Sequence, residues 1–328
     1  MKKTILSLIL SITALVFVLS IYSTETSFDA VFTNSVTVED VLIEDEAVAL
    51  SSTPNTASYS PEEKSAPLAA GIKEKKSSKT LIDYSNTSDG YIMVKFIKPT
   101  EKRIKAQVKG PSSVYTYNIT PEEFQVLPLT DSNGKYQVSV FENVTDNKYA
   151  LVSSVSFDVQ LKDEFAPFLN SNQFVDYTSS LHTAEKASEI TKDIAEPIKK
   201  VEAVYDWVVA NISYDKEKAA NVKSGYLPVL DNVLAEKKGI CFDYASLMTG
   251  MLRSQDIPCK LVVGYAGTSY HAWISVWTHE TGWIDGIIYF DGDTWHRMDP
   301  TFASTGQKSE EVMKYIGNGT NYTAKYFY

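Results

Sequence analysis

Residues 239–266, GICFDYASLMTGMLRSQDIPCKLVVGYA, carry a helix signal followed directly by a strand signal. After the first cysteine, four apolar residues recur at the spacing of one helix face: Ala245, Met248, Met251 and Leu252. The sequence therefore predicts a helix over 241–254 and a strand over 260–265. In this arrangement Cys241 stands in the first helical turn, where backbone N–H groups have no intrahelical partner.

Cys241 is a candidate nucleophile because of this position. A helix N-terminus lowers the pKa of a thiol, and the first-turn N–H groups can stabilise a developing oxyanion. Gly239 lies two residues earlier and allows the backbone to enter the helix at an unusual angle. The competing interpretation is an inert buried cysteine, a common state for this residue type.

Two later segments supply partners for such a thiol. In HAWISVW, which begins at His271, alternation directs His271 and Trp273 away from the apolar row of the strand. In TWHRMD, alternation places Asp299 on the face of Trp295. We expect the strand that ends at Asp299 to neighbour the His271 strand, so that the carboxylate accepts a hydrogen bond from the imidazole. The alternative for Asp299 is a turn aspartate before Pro300.

The chain contains two cysteines, and their pairing would exclude catalysis. A disulfide between Cys241 and Cys259 would consume the nucleophile, and an exported protein can form one. Cys259 follows Pro258 at the start of the predicted strand, where a small buried residue fits. The fit of Cys241 to its motif favours two free thiols.

Together these segments resemble the transglutaminase-like superfamily of papain-like cysteine acyl-transfer domains. The resemblance rests on the 239–266 stretch, on HAWISV and DTWHRMDPTF, and on the preceding VEAVYDWVVANISYD, and it covers residues 194–302. In that family a cysteine begins a helix two residues after a glycine, a histidine lies in an HAW strand, and an aspartate lies in a D-P-T segment. The resemblance implies a catalytic triad of Cys241, His271 and Asp299, and an α+β fold with an antiparallel sheet.

Several other residues are candidates for secondary roles. Tyr214 follows the predicted helix over 197–212 and is a candidate oxyanion donor, or else a core tyrosine. Trp273 and Trp295 are candidate walls of a substrate cleft, or else core residues. Asp243 is interpreted as a first-turn carboxylate that the helix dipole favours.

One position departs from the family pattern. The family has Gly before Ile-Pro at the helix end, whereas this chain has Asp256, which tolerates the left-handed conformation and should preserve the turn. His182, His279 and His296 lack metal-ligand spacing, and no loop has EF-hand spacing. We expect no metal and no cofactor.

Residues 81–162 have a different pattern of short alternating runs separated by turn signals, among them Asn133-Gly134. This pattern predicts a small all-β sandwich that resembles immunoglobulin-like modules, although it contains no cysteine. We interpret it as a spacer, with a ligand-binding module as the alternative. Residues 163–328 are the predicted transglutaminase-like domain.

The N-terminus predicts export. Lys2 and Lys3 precede an uncharged, mostly apolar run over 4–22, so residues 1–24 are expected to be a signal peptide or a retained membrane anchor. Residues 25–80, rich in Ser, Thr, Ala, Glu and Lys, predict a disordered linker. The expected location is therefore secreted or at the cell surface.

Composition limits the partners. With 41 acidic and 31 basic residues, a net charge of -10 and a pI near 5.0, the chain does not suit nucleic acid. The expected partner is a protein or peptide substrate, cell-wall peptide included.

The hypothesis is an exported cysteine enzyme that acts on carboxamide or peptide bonds through a thioester, by hydrolysis or by protein cross-linking. Its alternative is a catalytically silent surface module on the same fold.

Overall fold

The computed structural model describes residues 66–285, the backbone of 288–290 and 295–297, and residues 322–328. In these ranges the α-helices are Leu181–Thr191 (α1), Pro197–Asn211 (α2), Lys216–Asn221 (α3), Leu230–Glu236 (α4) and Cys241–Ser254 (α5). The strands of the first half are Glu74–Lys76 (β1), Thr80–Asp83 (β2), Tyr91–Phe96 (β3), Ile104–Lys109 (β4), Val114–Ile119 (β5), Phe124–Pro128 (β6), Gly134–Thr145 (β7) and Lys148–Val159 (β8). Those of the second half are Ser213–Tyr214 (β9), Lys238–Gly239 (β10), Cys259–Ala266 (β11), Ser269–Thr278 (β12), Gly282–Asp285 (β13), Ile288–Phe290 (β14), Trp295–Arg297 (β15) and Tyr322–Phe327 (β16).

The first half forms two antiparallel four-stranded sheets, in the orders β1-β2-β3-β6 and β5-β4-β7-β8. Strand β4 buries one face: Ile104, Ala106 and Val108 are buried, and the residues between them are not. This period of two is the pattern that the sequence shows. Tyr84 stacks on Phe157 and links the two sheets. The immunoglobulin-like assignment of this region stays a prediction.

Strand β1 corrects the predicted end of the linker. The sequence places residues 25–80 in a disordered linker, but Glu74–Lys76 pairs with β2 as an edge strand. Its three side chains are charged and exposed, so the sequence shows no alternation of apolar residues that would predict this strand. Backbone hydrogen bonds are sufficient for an edge strand, and exposed charges suit one. The other predicted domain boundaries stay predictions.

Helix α5 lies at the centre of the second half. It is buried from Cys241 to Arg253, whereas α2 buries only one stripe, so α5 is surrounded on all sides. Its bounds and those of α2 confirm the helices predicted over 241–254 and 197–212. The predicted turn after α5 is also present: Asp256 has a φ of 61°, and the Ile257 N–H donates to the Leu252 carbonyl.

A four-stranded antiparallel sheet, ordered β13-β12-β11-β16, packs against α5. In the register of β11 and β12, Gly264 pairs with His271, and Cys259 pairs with Val276. Paired residues share a face, so Cys259 and His271 lie on opposite faces of this sheet. The Cys259 thiol contacts the Thr249 hydroxyl at 3.6 Å, which identifies its face as the one that α5 covers.

The predicted pairing of the Asp299 strand with the His271 strand is wrong in the described residues. Strand β15 pairs with β14 in a separate two-stranded sheet, whereas β12 pairs with β11 and β13. In the sequence, the two strands β14 and β15 are separated by Asp291-Gly292, a dipeptide typical of tight hairpin turns. Asp299, the Trp295 side chain and residues 1–24 lie outside the described residues.

Arg253 joins the end of α5 to the surrounding chain. Its guanidinium is fully buried and donates to three backbone oxygens: those of Cys259 (2.9 and 2.8 Å), Asn170 (2.6 Å) and Tyr328 (2.6 Å). Burial lowers the pKa of Arg253 to about 10. One side chain therefore fixes β11, β16 and the segment before α1 relative to the helix.

An aromatic cluster connects the two halves. Tyr115 and Tyr117 of β5 contact the Tyr328 ring at centroid distances of 5.6 and 6.0 Å. Phe174 lies 5.9 Å from Tyr117 and 5.9 Å from Phe242, the second residue of α5. The helix is thus supported from the side of the first half. Within the described ranges, no helix has the length and apolar character needed to cross a membrane.

Candidate active site

Cys241 is the first residue of α5, as the sequence predicts, and is 2% exposed. The residue before it, Ile240, is extended, with φ of -94° and ψ of 175°. The chain therefore turns from strand β10 directly into the helix that carries the thiol. Free N–H groups of the first turn surround such a position.

Asp243 closes this helix end. Its carboxylate is 0% exposed and accepts hydrogen bonds from the Ile240 N–H at 2.8 Å and from the Tyr226 hydroxyl at 2.5 Å. Lys218 Nζ lies 2.7 Å from the same carboxylate. We call Asp243, Lys218 and Tyr226 the cap cluster. The cluster neutralises and satisfies a buried charge, the condition under which such a charge is tolerated.

Sequence reasoning found only the first-turn role of Asp243. Lys218 and Tyr226 come from α3 and from the loop that follows it, and nothing in their spacing marks them. Burial raises the pKa of Tyr226, and the Asp243 carboxylate raises it further, so the phenol stays protonated and donates. The cap cluster holds the loop before Cys241 against α3.

Gly239 is required for a reason other than the one predicted. Its φ does not lie in the left-handed region, but an added Cβ would approach Asp243 Cβ to 2.5 Å. Real Cβ atoms essentially never come this close. The glycine is needed because the Asp243 side chain folds back over the backbone that precedes the helix.

Tyr214 lies beside the same backbone. Strand β9 pairs in parallel with β10, and Tyr214 is the register partner of Gly239. The Asp215 N–H donates to the Gly239 carbonyl at 2.9 Å. Tyr214 is half-buried and is held beside Gly239, which lies two residues before Cys241 in the sequence. The role of Tyr214 as an oxyanion donor stays a prediction.

His271 lies in strand β12 and is 7% exposed. Its ring is 6.2 Å from that of Trp273 and 6.3 Å from that of Tyr322, centroid to centroid. Trp273 in turn meets Tyr322 edge to face at 5.2 Å. Gly264 makes room for this group, because a Cβ there would approach the Trp273 ring to 2.9 Å. The imidazole is held among aromatic rings, and the substrate-binding role of Trp273 stays a prediction.

Tyr270, the residue before His271 in β12, lies within electrostatic range of Cys241. Burial raises the pKa of Tyr270, and the neighbouring Tyr326, Tyr265 and Cys241 raise it further. Cys241 is thus close to the residue that precedes His271. Alternation directs Tyr270 and His271 to opposite faces, so the contact between the imidazole and the sulfur stays a prediction, as does the triad with Asp299.

The other cysteine has a different environment. Both cysteines are free. Cys259 is completely buried, and burial raises the pKa of its thiol to about 12. A thiol with such a pKa carries almost no thiolate at neutral pH, so Cys259 is unsuited to nucleophilic attack.

The described ranges contain no group of three or more His, Cys, Asp or Glu side chains placed to bind a metal. His182 is exposed and contacts Glu185 at 3.3 Å, and His279 contacts the Trp277 ring.

Comparison with known proteins finds a family model that spans the three candidate triad residues. A model described as "Transglutaminase-like superfamily" matches residues 184–300, which include Cys241, His271 and Asp299. A UPF0252 protein of Methanocaldococcus jannaschii is 27% identical over 209 residues, covering 58% of this chain and 56% of the relative.

Two further relatives carry names that state an activity. The mouse kyphoscoliosis peptidase is 28% identical over 122 residues, covering 37% of this chain and 18% of the relative. The protein-glutamine gamma-glutamyltransferase of Pseudomonas aeruginosa is 26% identical over 98 residues, covering 26% of this chain and 13% of the relative. The chain thus spans about half or less of the length of these relatives.

Proposed function

We propose that the protein is a cysteine acyltransferase or hydrolase with Cys241, His271 and Asp299 as its triad, because residues 184–300 match the model of the transglutaminase-like superfamily. The observation that carries the proposal is the position of Cys241 as the first residue of a buried helix that packs against β12, the strand of His271. Alternation places the imidazole on the other face of β12, so its approach to the sulfur is part of the proposal. Free N–H groups of the first helical turn lie at that position and can stabilise a developing negative charge.

The proposed reaction begins with proton transfer from the Cys241 thiol to the His271 imidazole. The thiolate attacks the carbonyl carbon of a carboxamide or peptide bond, a C–S bond forms, and the negative charge moves to the carbonyl oxygen. N–H groups of the first turn of α5, with the Tyr214 hydroxyl, stabilise this oxyanion. Collapse breaks the C–N bond, and the amine leaves with the proton from His271.

The resulting thioester can be resolved by either of two nucleophiles, water or a primary amine. His271 takes a proton from water or from a primary amine as that acceptor attacks the thioester carbonyl and forms a new C–O or C–N bond. The C–S bond then breaks, and the proton passes from His271 to the sulfur, which restores the Cys241 thiol. Water yields a carboxylic acid, whereas an amine yields a new amide. Asp299 accepts a hydrogen bond from the imidazole and fixes its tautomer. The relatives named for a peptidase and for a glutamyltransferase support both outcomes.

A glutamine-containing peptide and a labelled primary amine test the proposal. Wild-type protein is expected to release ammonia from the peptide, with or without amine incorporation, and Cys241→Ala and His271→Ala are expected to abolish both products. Cys259→Ala is the matched control and should retain activity. Equal product formation by Cys241→Ala and wild type would contradict the proposal.

The second candidate, a catalytically silent module, is favoured by the 2% exposure of Cys241, because substrate must reach a nucleophile. Because one glutamine peptide need not be a substrate, the wild-type protein is also tested against a library of peptides. If no peptide of the library is converted and Cys241 does not react with thiol reagents, the catalytically silent module is favoured.

We also propose that the protein acts outside the cytoplasm, at the cell surface or secreted. The support is the Lys2-Lys3 pair and the apolar run that follows. A fusion of residues 1–30 to a reporter that is active only after export should be active, and N-terminal sequencing of the exported protein would separate a cleaved signal from an anchor. An inactive fusion would overturn the export proposal.

A further inference from the structure

A second concave site lies between the two halves of the chain. Strands β4 and β5 form one wall, and the loop with Ser224 and Gly225, which follows α3, forms the other. The cleft encloses about 350 Å³, and Lys102, Arg103 and Lys105 line it. We call it the basic cleft. It involves neither Cys241 nor any other candidate active-site residue.

Among the described residues, Lys105 and Arg103 are the cations of this cleft that have no carboxylate partner. Lys105 is half-buried, and burial together with the adjacent Arg103 lowers its pKa. Among the ion pairs that the described part of the chain forms, neither residue takes part. Lys102, by contrast, has a carboxylate partner: its Nζ lies 3.6 Å from Glu142, which also pairs with Lys79. Two neighbouring positive charges therefore face the cleft uncompensated.

This cluster is not a sample of a generally basic surface, because the chain carries a net charge of -10. Placing a lysine in a half-buried position beside another cation costs free energy through desolvation and repulsion. A bound anion would offset both terms. The cleft is therefore suited to a negatively charged ligand.

Neutral groups in the cleft complete an anion site. Asn118 is the register partner of Lys105 on β5, so the two side chains leave the sheet on the same face, and both line the cleft. Arg103 is held in place, because it donates to the Asp146 carbonyl and lies 5.8 Å from the centre of the Tyr149 ring. An ammonium, an amide and a fixed guanidinium can bind a carboxylate together.

The loop wall connects the cleft to the candidate active site. Gly225 lines the cleft, and the next residue, Tyr226, donates to Asp243 in the cap cluster. Asp243 lies two residues after Cys241 in α5. A ligand in the basic cleft would thus contact the loop that also holds the N-terminus of α5, where Cys241 lies.

We propose that the basic cleft binds a carboxylate of an acidic segment in the peptide or protein substrate. The identity of the bound molecule as substrate rests on the proposed function, whereas carboxylate binding itself does not. The site would favour substrates with Asp or Glu near the reacting bond and would disfavour basic ones.

Binding is measured on the full chain with Cys241→Ala, so that no turnover occurs. The probes are a fluorescent hexaglutamate peptide and a hexaglutamine peptide of the same length. We expect the hexaglutamate to bind more tightly, and Lys105→Gln or Arg103→Gln to weaken that binding by about tenfold, the size of one charge-assisted hydrogen bond. Lys109→Gln is the matched control, because Lys109 is exposed at the other end of the same strand.

Three results would overturn the proposal. They are equal affinity for the two peptides, equal weakening by Lys109→Gln and Lys105→Gln, and binding of inorganic phosphate without binding of the hexaglutamate. Because this measurement needs no catalysis, a failure of the Cys241 chemistry leaves it interpretable. Activity of the wild-type protein on acidic against neutral glutamine peptides then tests the substrate assignment, and equal activity on the two peptides would overturn it.

Discussion

Lys218 Nζ lies 2.7 Å from the Asp243 carboxylate, and this contact anchors the helix end that carries Cys241. Asp243 is fully buried, whereas the Lys218 side chain is a quarter exposed. Removing one partner of such a pair leaves a charge without compensation. The other member of the cap cluster, Tyr226, cannot replace the lysine, because it supplies no positive charge.

We expect Lys218→Met to lower the free energy of unfolding by about 3 kcal/mol, because it leaves the Asp243 carboxylate buried and unpaired. Urea denaturation measures this loss. Lys216→Met, an exposed position of the same helix, is the control and should change stability by less than about 0.5 kcal/mol. The double variant Lys218→Met, Asp243→Asn should recover part of the loss. Equal stability of Lys218→Met and Lys216→Met would refute the buried ion pair.

Gly239→Ala should destabilise the protein and disturb Cys241 in particular. The new Cβ would meet Asp243 Cβ at 2.5 Å, so the cap must shift, at a cost of about 1–3 kcal/mol. The measurements are urea denaturation and the rate of Cys241 alkylation in the folded protein. Wild-type stability together with a wild-type alkylation rate would show that the close contact is absent.

Arg253→Met should be among the most damaging single changes in the second half. It removes the guanidinium donor from the carbonyl oxygens of Cys259, Asn170 and Tyr328, and each lost bond to a buried oxygen is worth about 1–3 kcal/mol. The Tyr328 oxygen keeps the Leu261 N–H as a second donor. We expect Arg253→Lys to cost less than Arg253→Met, because an ammonium can keep some of the bonds. Chemical denaturation ranks the two, with exposed Lys192→Met as the control. A loss below about 1 kcal/mol for Arg253→Met would contradict the role assigned to it.

Cys259 should make stability fall at alkaline pH. Its pKa is about 12 in the folded protein, against an ordinary value of 9.0 for a cysteine thiol, so the unfolded state loses the proton first as pH rises. The unfolded state then binds fewer protons, and stability falls between about pH 9 and 12 by up to about 1.4 kcal/mol per pH unit from this group. Below the unfolded pKa the contribution is fully present. Denaturation curves from pH 8 to 11 should show a smaller decline in Cys259→Ala, and parallel declines would contradict the raised pKa.

Local patterns predicted the elements well, and the reason is that each is specified by nearby residues. The apolar stripe after Cys241 fixes α5, and Asp256 takes the left-handed turn because its short side chain tolerates it. Strands β14 and β15 likewise pair with each other, as expected for two neighbouring segments separated by the turn dipeptide Asp291-Gly292 in the sequence.

Contacts between distant segments were not predictable in the same way. Lys218 and Tyr226 reach Asp243 only because α3 and its loop fold over the helix end, and no periodicity encodes that. The expected pairing of the Asp299 strand with the His271 strand was wrong for the same reason, since alternation assigns faces and not neighbours. The edge strand β1 pairs through its backbone alone and leaves no apolar signature.

The most direct test of the account uses limiting iodoacetamide on the folded wild-type protein at pH 7, followed by mass spectrometry of the peptides. If Cys241 is an activated nucleophile, it takes up nearly all of the label while Cys259 stays unmodified, and His271→Ala lowers its rate. Lack of labelling at Cys241, or labelling that ignores the loss of His271, would contradict the account.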